Sequence, residues 1–311
     1  MPSLRSRLIR TWVRLSVKRL LASDAPIEKV RRGTDKLARY GFPPKSVETE
    51  LIDIDGTPAE RLTPTKTQPS GVVLYLHGGG YCFGSIALYH ELAARIAEAS
   101  CAQVILPEYR LAPEHPFPTA LEDALKVYHW LLDQDHPPDQ LAVAGDSAGG
   151  GLALALTTSL RDAGHPLPTA LVCLSPWTDL ACTGQSLESR AEIDPMLPAN
   201  RIQSCAQQYA GDHDLHDPRI SPLYADLSGL PPTLIQVGTD EVLLDDSTRL
   251  ADAARTAGVD VTCNVHVGLW HDWHLYAAAV PEGREAIQEI GRFVQKNWST
   301  SGNASPALAG Q

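Results

Sequence analysis

With 311 residues the chain is long enough for two average domains, yet α/β folds of this size commonly form one unit. Its formal charge of −11 argues against nucleic acid or an anionic membrane as a general partner, since both attract basic surfaces. The composition, 43% hydrophobic and 20% charged, is that of a globular protein, and no run approaches the roughly 18 apolar residues of a membrane span.

Residues 4–21 intersperse Arg5, Arg7, Arg10, Arg14, Lys18 and Arg19 with Leu4, Leu8, Trp12, Val13 and Leu15. The basic residues are spread throughout and no long apolar core with a small-residue cleavage site is present, so the segment does not read as a secretory signal. It reads as an amphipathic basic helix, a type that can lie on membranes. Glu48–Ile54 and Ala59–Pro64, around Asp55-Gly56, predict an antiparallel hairpin at a sheet edge.

From residue 71 onward, strand-like apolar runs alternate with helical patterns. Strands are predicted at 71–77, 103–108, 141–146, 170–176, 233–239 and 261–267, and helices at 89–100, 117–134, 148–163, 245–257 and 283–297. This alternation predicts βαβ units and a mostly parallel central sheet flanked by helices, an α/β fold. The pattern breaks between Thr178 and Pro222, too long a stretch for a βα loop, with a helical piece of its own near Ala199–Tyr209. It reads as an insertion. Residues 299–311 are small and polar and predict a disordered tail. The six cysteines show no paired spacing, and Cys101, Cys173 and Cys263 fall in or beside predicted strands, where a thiol behaves as a small hydrophobe. No disulfide is expected, and a reducing cytoplasm fits best.

The chemistry concentrates in two motifs. Gly145-Asp146-Ser147-Ala148-Gly149 follows an apolar run and opens a small-residue helical stretch, Gly150 to Leu160. Glycines two residues either side of a serine, between a strand and a helix, are the pattern of a nucleophile elbow. The turn is so sharp that bulkier neighbours clash, and the serine is held strained with its Oγ outward. The other motif, His77-Gly78-Gly79-Gly80-Tyr81, directly follows the apolar run ending at Leu76. Acyl transfer passes through a tetrahedral oxyanion, which needs preorganised N–H donors, and consecutive glycines can turn two amides toward one point. Gly78 and Gly79 are the expected donors, with Ala148, the residue after Ser147, as the third. His77 is expected to pin the loop by hydrogen bonding.

These motifs resemble the hormone-sensitive-lipase-like branch (family IV) of the bacterial esterases, in the α/β-hydrolase superfamily, whose members carry His-Gly-Gly-Gly and Gly-Asp-Ser-Ala-Gly-Gly. The resemblance spans about residues 70–295 and includes Tyr109-Arg110-Leu111-Ala112-Pro113-Glu114-His115-Pro116-Phe117-Pro118 and Asp217-Pro218-Arg219-Ile220-Ser221-Pro222. It implies an α/β-hydrolase fold with a helical cap. Residues 1–45 would supply cap helices, 46–298 the catalytic domain, and about 178–222 a cap insertion. On this reading the basic N-terminal helix belongs to the cap, membrane contact being the alternative.

A serine hydroxyl is a poor nucleophile at neutral pH and requires a histidine base, itself oriented by a carboxylate. In this superfamily the chain order is Ser, then Asp or Glu, then His. Asp240, two residues beyond the strand ending at Gly238, is the expected acid. Asp245 and Asp246 read instead as N-cap and first-turn residues of the next helix. The family usually has Asp-Pro-Leu here, where this chain has Asp240-Glu241-Val242. His271, in the loop after the last strand, matches the family's base. His274 begins a helical run and reads as packing, and His266 lies inside the strand. Tyr81 is expected to wall the acyl pocket, with ordinary packing as the alternative. Asp194, in Ile193-Asp194-Pro195-Met196, falls where family members line the entrance, with a simple N-cap as the alternative.

The expected reaction is hydrolysis of a short- to medium-chain carboxylic ester through an acyl-enzyme on Ser147, without a cofactor. An amidase or lactonase on the same triad, or a small-molecule receptor that has lost catalysis, are the alternatives. His213-Asp214-Leu215-His216 and His271-Asp272-Trp273-His274 have His-x-x-His spacing, but the first sits in a predicted loop and the second is accounted for by the triad, so no metal site is expected. A small ester is the expected partner. Nucleic acid and stable membrane insertion are not expected, and a homodimer is left open.

Overall fold

The computed structural model describes residues 1–22, 25–37, 41–134 and 136–301. Strands β1 (Val47–Ile54) and β2 (Thr57–Pro64) form the expected hairpin. They are followed by β3 (Val72–Leu76), β4 (Gln103–Pro107), β5 (Leu141–Asp146), β6 (Ala170–Leu174), β7 (Thr233–Gly238) and β8 (Val261–His266). All eight join one sheet in the order β1-β2-β4-β3-β5-β6-β7-β8. β2 pairs antiparallel with β1 and β4, and the strands from β4 to β8 across the sheet pair in parallel.

The helices are α1 (Leu4–Leu21), α2 (Ile27–Asp35), α3 (Ile86–Ser100), α4 (Thr119–Asp133), α5 (Ser147–Asp162), α6 (Ser186–Ser189), α7 (Ala199–Ala210), α8 (Leu244–Thr256) and α9 (Pro281–Ser301). The last helix extends to Ser301, so it takes in the first residues expected to be tail; the rest of that segment lies outside the described residues.

β3, β5, β6 and β7 are buried along their whole length, as continuous apolar runs require when helices cover both faces of a parallel sheet. Successive side chains go to opposite layers. Val72, Leu74 and Leu76 pack with α4, α5 and α8 residues such as Leu121, Leu152 and Leu250. Val73 and Tyr75 pack with Leu92 and Ile96 of α3 and Ile290 and Val294 of α9. β8 is the edge strand on the parallel side of the sheet, and its residue Val265 is exposed.

Three basic residues of α1 bond to other parts of the chain. Lys18 Nζ donates to the carbonyls of Ala191 (2.9 Å) and Asp194 (2.6 Å), and Arg14 donates to the carbonyl of Glu192. Arg10 donates to the Ile193 carbonyl (2.8 Å) and to Asp240 Oδ2 (2.5 Å). These cations therefore fasten α1 to the 178–222 segment and to the loop after β7. Leu4, Leu8 and Leu15 remain exposed. Among the described residues no helix is long and apolar enough to cross a membrane.

Candidate active site

Ser147 sits between β5 and α5 with φ +50°, the left-handed region, a conformation costing roughly 1–3 kcal/mol for a non-glycine residue. Close approach makes the flanking glycines obligatory. A Cβ on Gly145 would lie 2.2 Å from the Gly149 carbonyl oxygen, and one on Gly149 would lie 2.0 Å from that of Leu76. Both separations are far inside van der Waals contact. The elbow expected from the sequence is thus built by sterics, and its serine opens into a cavity.

Asp146, beside the serine, has a role that sequence reasoning missed. It is fully buried, and its Oδ1 accepts hydrogen bonds from Tyr75 Oη (2.8 Å) and the Gly78 amide (3.0 Å). Its Oδ2 accepts from Tyr89 Oη (2.9 Å). Burial and the nearby Asp272 push this carboxyl well above its usual range, against the pull of the two tyrosine hydroxyls. Gly78, expected as an oxyanion donor, therefore has its N–H committed to Asp146. The two glycines that line the serine's cavity are Gly79 and Gly80. Gly79 has φ +120°, and a Cβ there would meet the Phe83 carbonyl oxygen at 2.0 Å, so only glycine can turn the loop at this point. Ala148 lies in the first turn of α5, where helix N–H groups lack intrahelical acceptors. His77 pins the loop as expected: Nδ1 is 2.8 Å from the Gly78 carbonyl and the ring stacks on Tyr109. Burial lowers its pKa to about 4, which keeps it a neutral hydrogen-bonding residue.

His271 is buried, lines the same cavity as Ser147, and has Nδ1 2.9 Å from Glu241 Oε2. The carboxylate bonded to Nδ1 is thus Glu241 and not the expected Asp240. The chain turns after β7 so that consecutive side chains point opposite ways. Asp240 faces outward to Arg10, while Glu241 is fully buried and held at Oε1 by the Gly238 amide (2.6 Å) and Ser175 Oγ (2.9 Å). Burial raises the Glu241 pKa, opposed by its bonds to His271 and Gly238. A signal was present in the sequence. Aligning Leu243 with the leucine of the family's Asp-Pro-Leu puts Glu241, not Asp240, at the acid position.

Burial alone would lower the His271 pKa, but the surrounding carboxylates Asp272 and Glu241 outweigh it and hold the imidazole well above its ordinary value. The Nε2 atom lies 2.9 Å from Asp272 Oδ2. Among the described residues Ser147 Oγ makes no hydrogen bond to it. His274 is separate: its Nε2 lies 3.0 Å from Gln236 Oε1, and burial drives its pKa well down.

Two further expectations are corrected. Tyr81 does not line the cavity; it is buried with its ring stacked on Tyr209 of α7, centroids 3.7 Å apart, and so packs the glycine loop against that helix. Asp194 is likewise fully buried. Its Oδ1 accepts from the Met196 (2.7 Å) and Leu197 (2.9 Å) amides, and its Oδ2 from the Val242 amide (3.0 Å). It ties the insertion to the residue following Glu241, a structural role. The His-x-x-His pairs also divide: His213 packs edge-on against Phe117 and His216 approaches Asp214, while His271 and His274 have the different partners given above.

The cavity at Ser147 measures about 40 Å³ and is walled by Trp177, Leu197, Ile202, Cys205 and Leu243. A wider one of about 380 Å³ lies between α1, α2 and α3, lined by Ile9, Trp12, Leu37, Leu88 and Tyr276. Leu21, Phe83, Tyr89 and Met196 line both, so the two are neighbours.

An elbow serine at the carboxyl end of a parallel sheet, facing a histidine held by a buried carboxylate, defines an α/β-hydrolase. The chain belongs to that family, whose pattern, described as the alpha/beta hydrolase fold, matches residues 73–275. It is 43% identical over 264 residues to an acetyl-hydrolase of Streptomyces hygroscopicus, covering 85% of this chain and 87% of that one. It is 35% identical over 290 residues to an esterase of Acinetobacter venetianus, covering 92% and 93%. The crystal structure of an esterase from the bacterial hormone-sensitive lipase family superposes with a TM-score of 0.91 at 39% identity, over 96% of this chain and 99% of that one. The protein is therefore a carboxylic ester hydrolase of the hormone-sensitive-lipase-like branch.

Proposed function

We propose that this carboxylesterase cleaves short- to medium-chain acyl esters through a Ser147–His271–Glu241 triad and a covalent acyl-enzyme. The observation that carries this reading is the burial of His271 in the cavity of the elbow serine with its Nδ1 bonded to Glu241. Ser147 Oγ attacks the ester carbonyl while His271 Nε2 takes its proton, and Glu241 holds the imidazole in the tautomer that leaves Nε2 free to accept it. The amides of Gly79, Gly80 and Ala148 receive the oxyanion. The imidazolium then protonates the departing alcohol, and a water activated by His271 hydrolyses the acyl-enzyme.

Residues 1–45 and 178–222 act as a cap on a catalytic domain of residues 46–298. Leu21 from the first segment and Met196, Leu197, Ile202 and Cys205 from the second lie against the cavity, which restricts the acyl group. All six cysteines are free thiols, which agrees with work in the cytoplasm.

A phosphonate ester tests the nucleophile. It is expected to inactivate the protein with a single adduct on Ser147, and Ser147→Ala is expected to lose about 10⁶ in kcat, as nucleophile removal does in a serine protease. An adduct elsewhere, or a tenth of wild-type kcat in the variant, contradicts the assignment.

A further inference from the structure

We propose that Asp272 is a positioning residue that competes with Ser147 for His271 Nε2, so that the resting enzyme holds an imidazolium between two carboxylates and is released for catalysis by loss of one proton. This rests on the triad reading above and adds to it a resting state and its trigger.

The geometry is specific. Asp272 directly follows His271 and is itself in the left-handed region, φ +51° and ψ +40°. That turn folds its side chain back onto the imidazole face that the nucleophile must use, with Oδ2 2.9 Å from Nε2. Its other oxygen, Oδ1, is buried and has no hydrogen-bond partner among the described residues. An orphaned carboxylate oxygen is costly, and an extra charge on the imidazole is what compensates it. Asp272 also lines the cavity together with Ser147, Gly79 and Gly80, so it occupies space on the reacting side.

The proton count follows. With one proton on Nδ1 at Glu241 and a second on Nε2, beside the Asp272 carboxylate at ion-pair distance, His271 is an imidazolium and has no lone pair for Ser147. Loss of the Nε2 proton to solvent leaves two lone pairs facing each other across that contact. The Asp272 carboxylate is then repelled from Nε2, and the Ser147 hydroxyl can donate there instead. The other ionisable groups around the imidazole are Glu241 beyond β7, Asp194 from the insertion, Asp146 at the end of β5 and His274 in the following turn. Arg201 of α7 lines the same cavity. Asp272 is the group among these that touches Nε2.

Asp272→Asn keeps the shape and removes the charge. The acid limb of its kcat/KM profile for p-nitrophenyl butyrate is expected to move to lower pH by about one unit or more, making the variant roughly tenfold faster than the wild type at a fixed pH below both limbs. Asp272→Gly, which suits a left-handed backbone, serves as a second variant and is expected to shift in the same direction. In the inactive Ser147→Ala protein, titration of carbon-labelled histidine by NMR is expected to show His271 protonated above its ordinary range near 6.5, and less so once Asp272 is also changed. An unmoved acid limb in both variants, a uniform fall in kcat without a shift, or an ordinary His271 titration overturns the proposal while leaving the triad standing. Activity in Ser147→Ala would instead overturn the triad.

Discussion

At Glu241 the identity of the carboxylate bonded to His271 Nδ1 turns on the direction of one side chain. Asp240 and Glu241 are both acidic, adjacent, and just past β7, so spacing along the chain does not separate them. What separates them is tertiary. The amide of Asp240 is anchored to the Leu269 carbonyl (3.0 Å) and its side chain meets Arg10, 230 positions earlier. Glu241 instead enters the interior, where the Gly238 amide and Ser175 hydroxyl hold it. The same holds for Gly78, whose amide is taken by a carboxylate 68 residues away. By contrast Ser147 and its flanking glycines were legible, because the elbow is dictated by contacts within a few residues of the serine and with the adjoining strand β3. The placement of His271 at the cavity of Ser147 agrees with its position in the loop that follows the last strand.

Among the elements, the sheet and its helices followed from hydrophobic periodicity, and the strand limits agree within one or two residues. The role of α1 did not follow from its composition. An amphipathic basic helix reads the same whether its cations face lipid or carbonyl oxygens. Here Arg10, Arg14 and Lys18 donate to carbonyls of residues 191–194. Arg10 also joins Asp240 and the Gly268 carbonyl (3.2 Å), which flank Glu241 and His271 in sequence. Both members of that pair are about three-quarters covered, with side-chain exposures of 26% and 21%, so the pair is worth more than a fully exposed one but is still partly screened. Arg10→Ala is expected to cost about 1 kcal/mol and lower Tm by roughly 1–2 °C. It is also expected to raise KM more than it lowers kcat, because it loosens the α1 segment rather than the reacting groups. An unchanged Tm and KM would show that α1 is held by its apolar face alone.

For the whole molecule, the arrangement of cavities is expected to set substrate size. The small space at Ser147 is walled by Trp177 and the glycine loop among others, and the wider apolar chamber begins at Leu21, Phe83, Tyr89 and Met196. Each methylene that fits gains about 0.8 kcal/mol, and overpacking costs about 1–3 kcal/mol once it does not. Rates across p-nitrophenyl esters are therefore expected to rise from acetate, peak at roughly four to eight acyl carbons, and fall sharply beyond about ten. A maximum at palmitate, or strong activation at a lipid interface, contradicts the small-pocket reading and returns attention to the exposed leucines of α1.

The central claim is that the buried Glu241, and not its neighbour Asp240, orients the base for Ser147. The direct test is kcat/KM on p-nitrophenyl butyrate for Glu241→Gln beside Asp240→Asn, with far-ultraviolet circular dichroism to verify the fold of each. Replacing a triad carboxylate by its amide drops kcat by about 10⁴ in a serine protease, because the histidine is left in the wrong tautomer. Glu241→Gln is expected to lose on the order of 10³–10⁴, and Asp240→Asn to stay within about tenfold of wild type, as loss of a screened ion pair allows. The reverse ranking would put Asp240 on the histidine in the working enzyme and contradict the account.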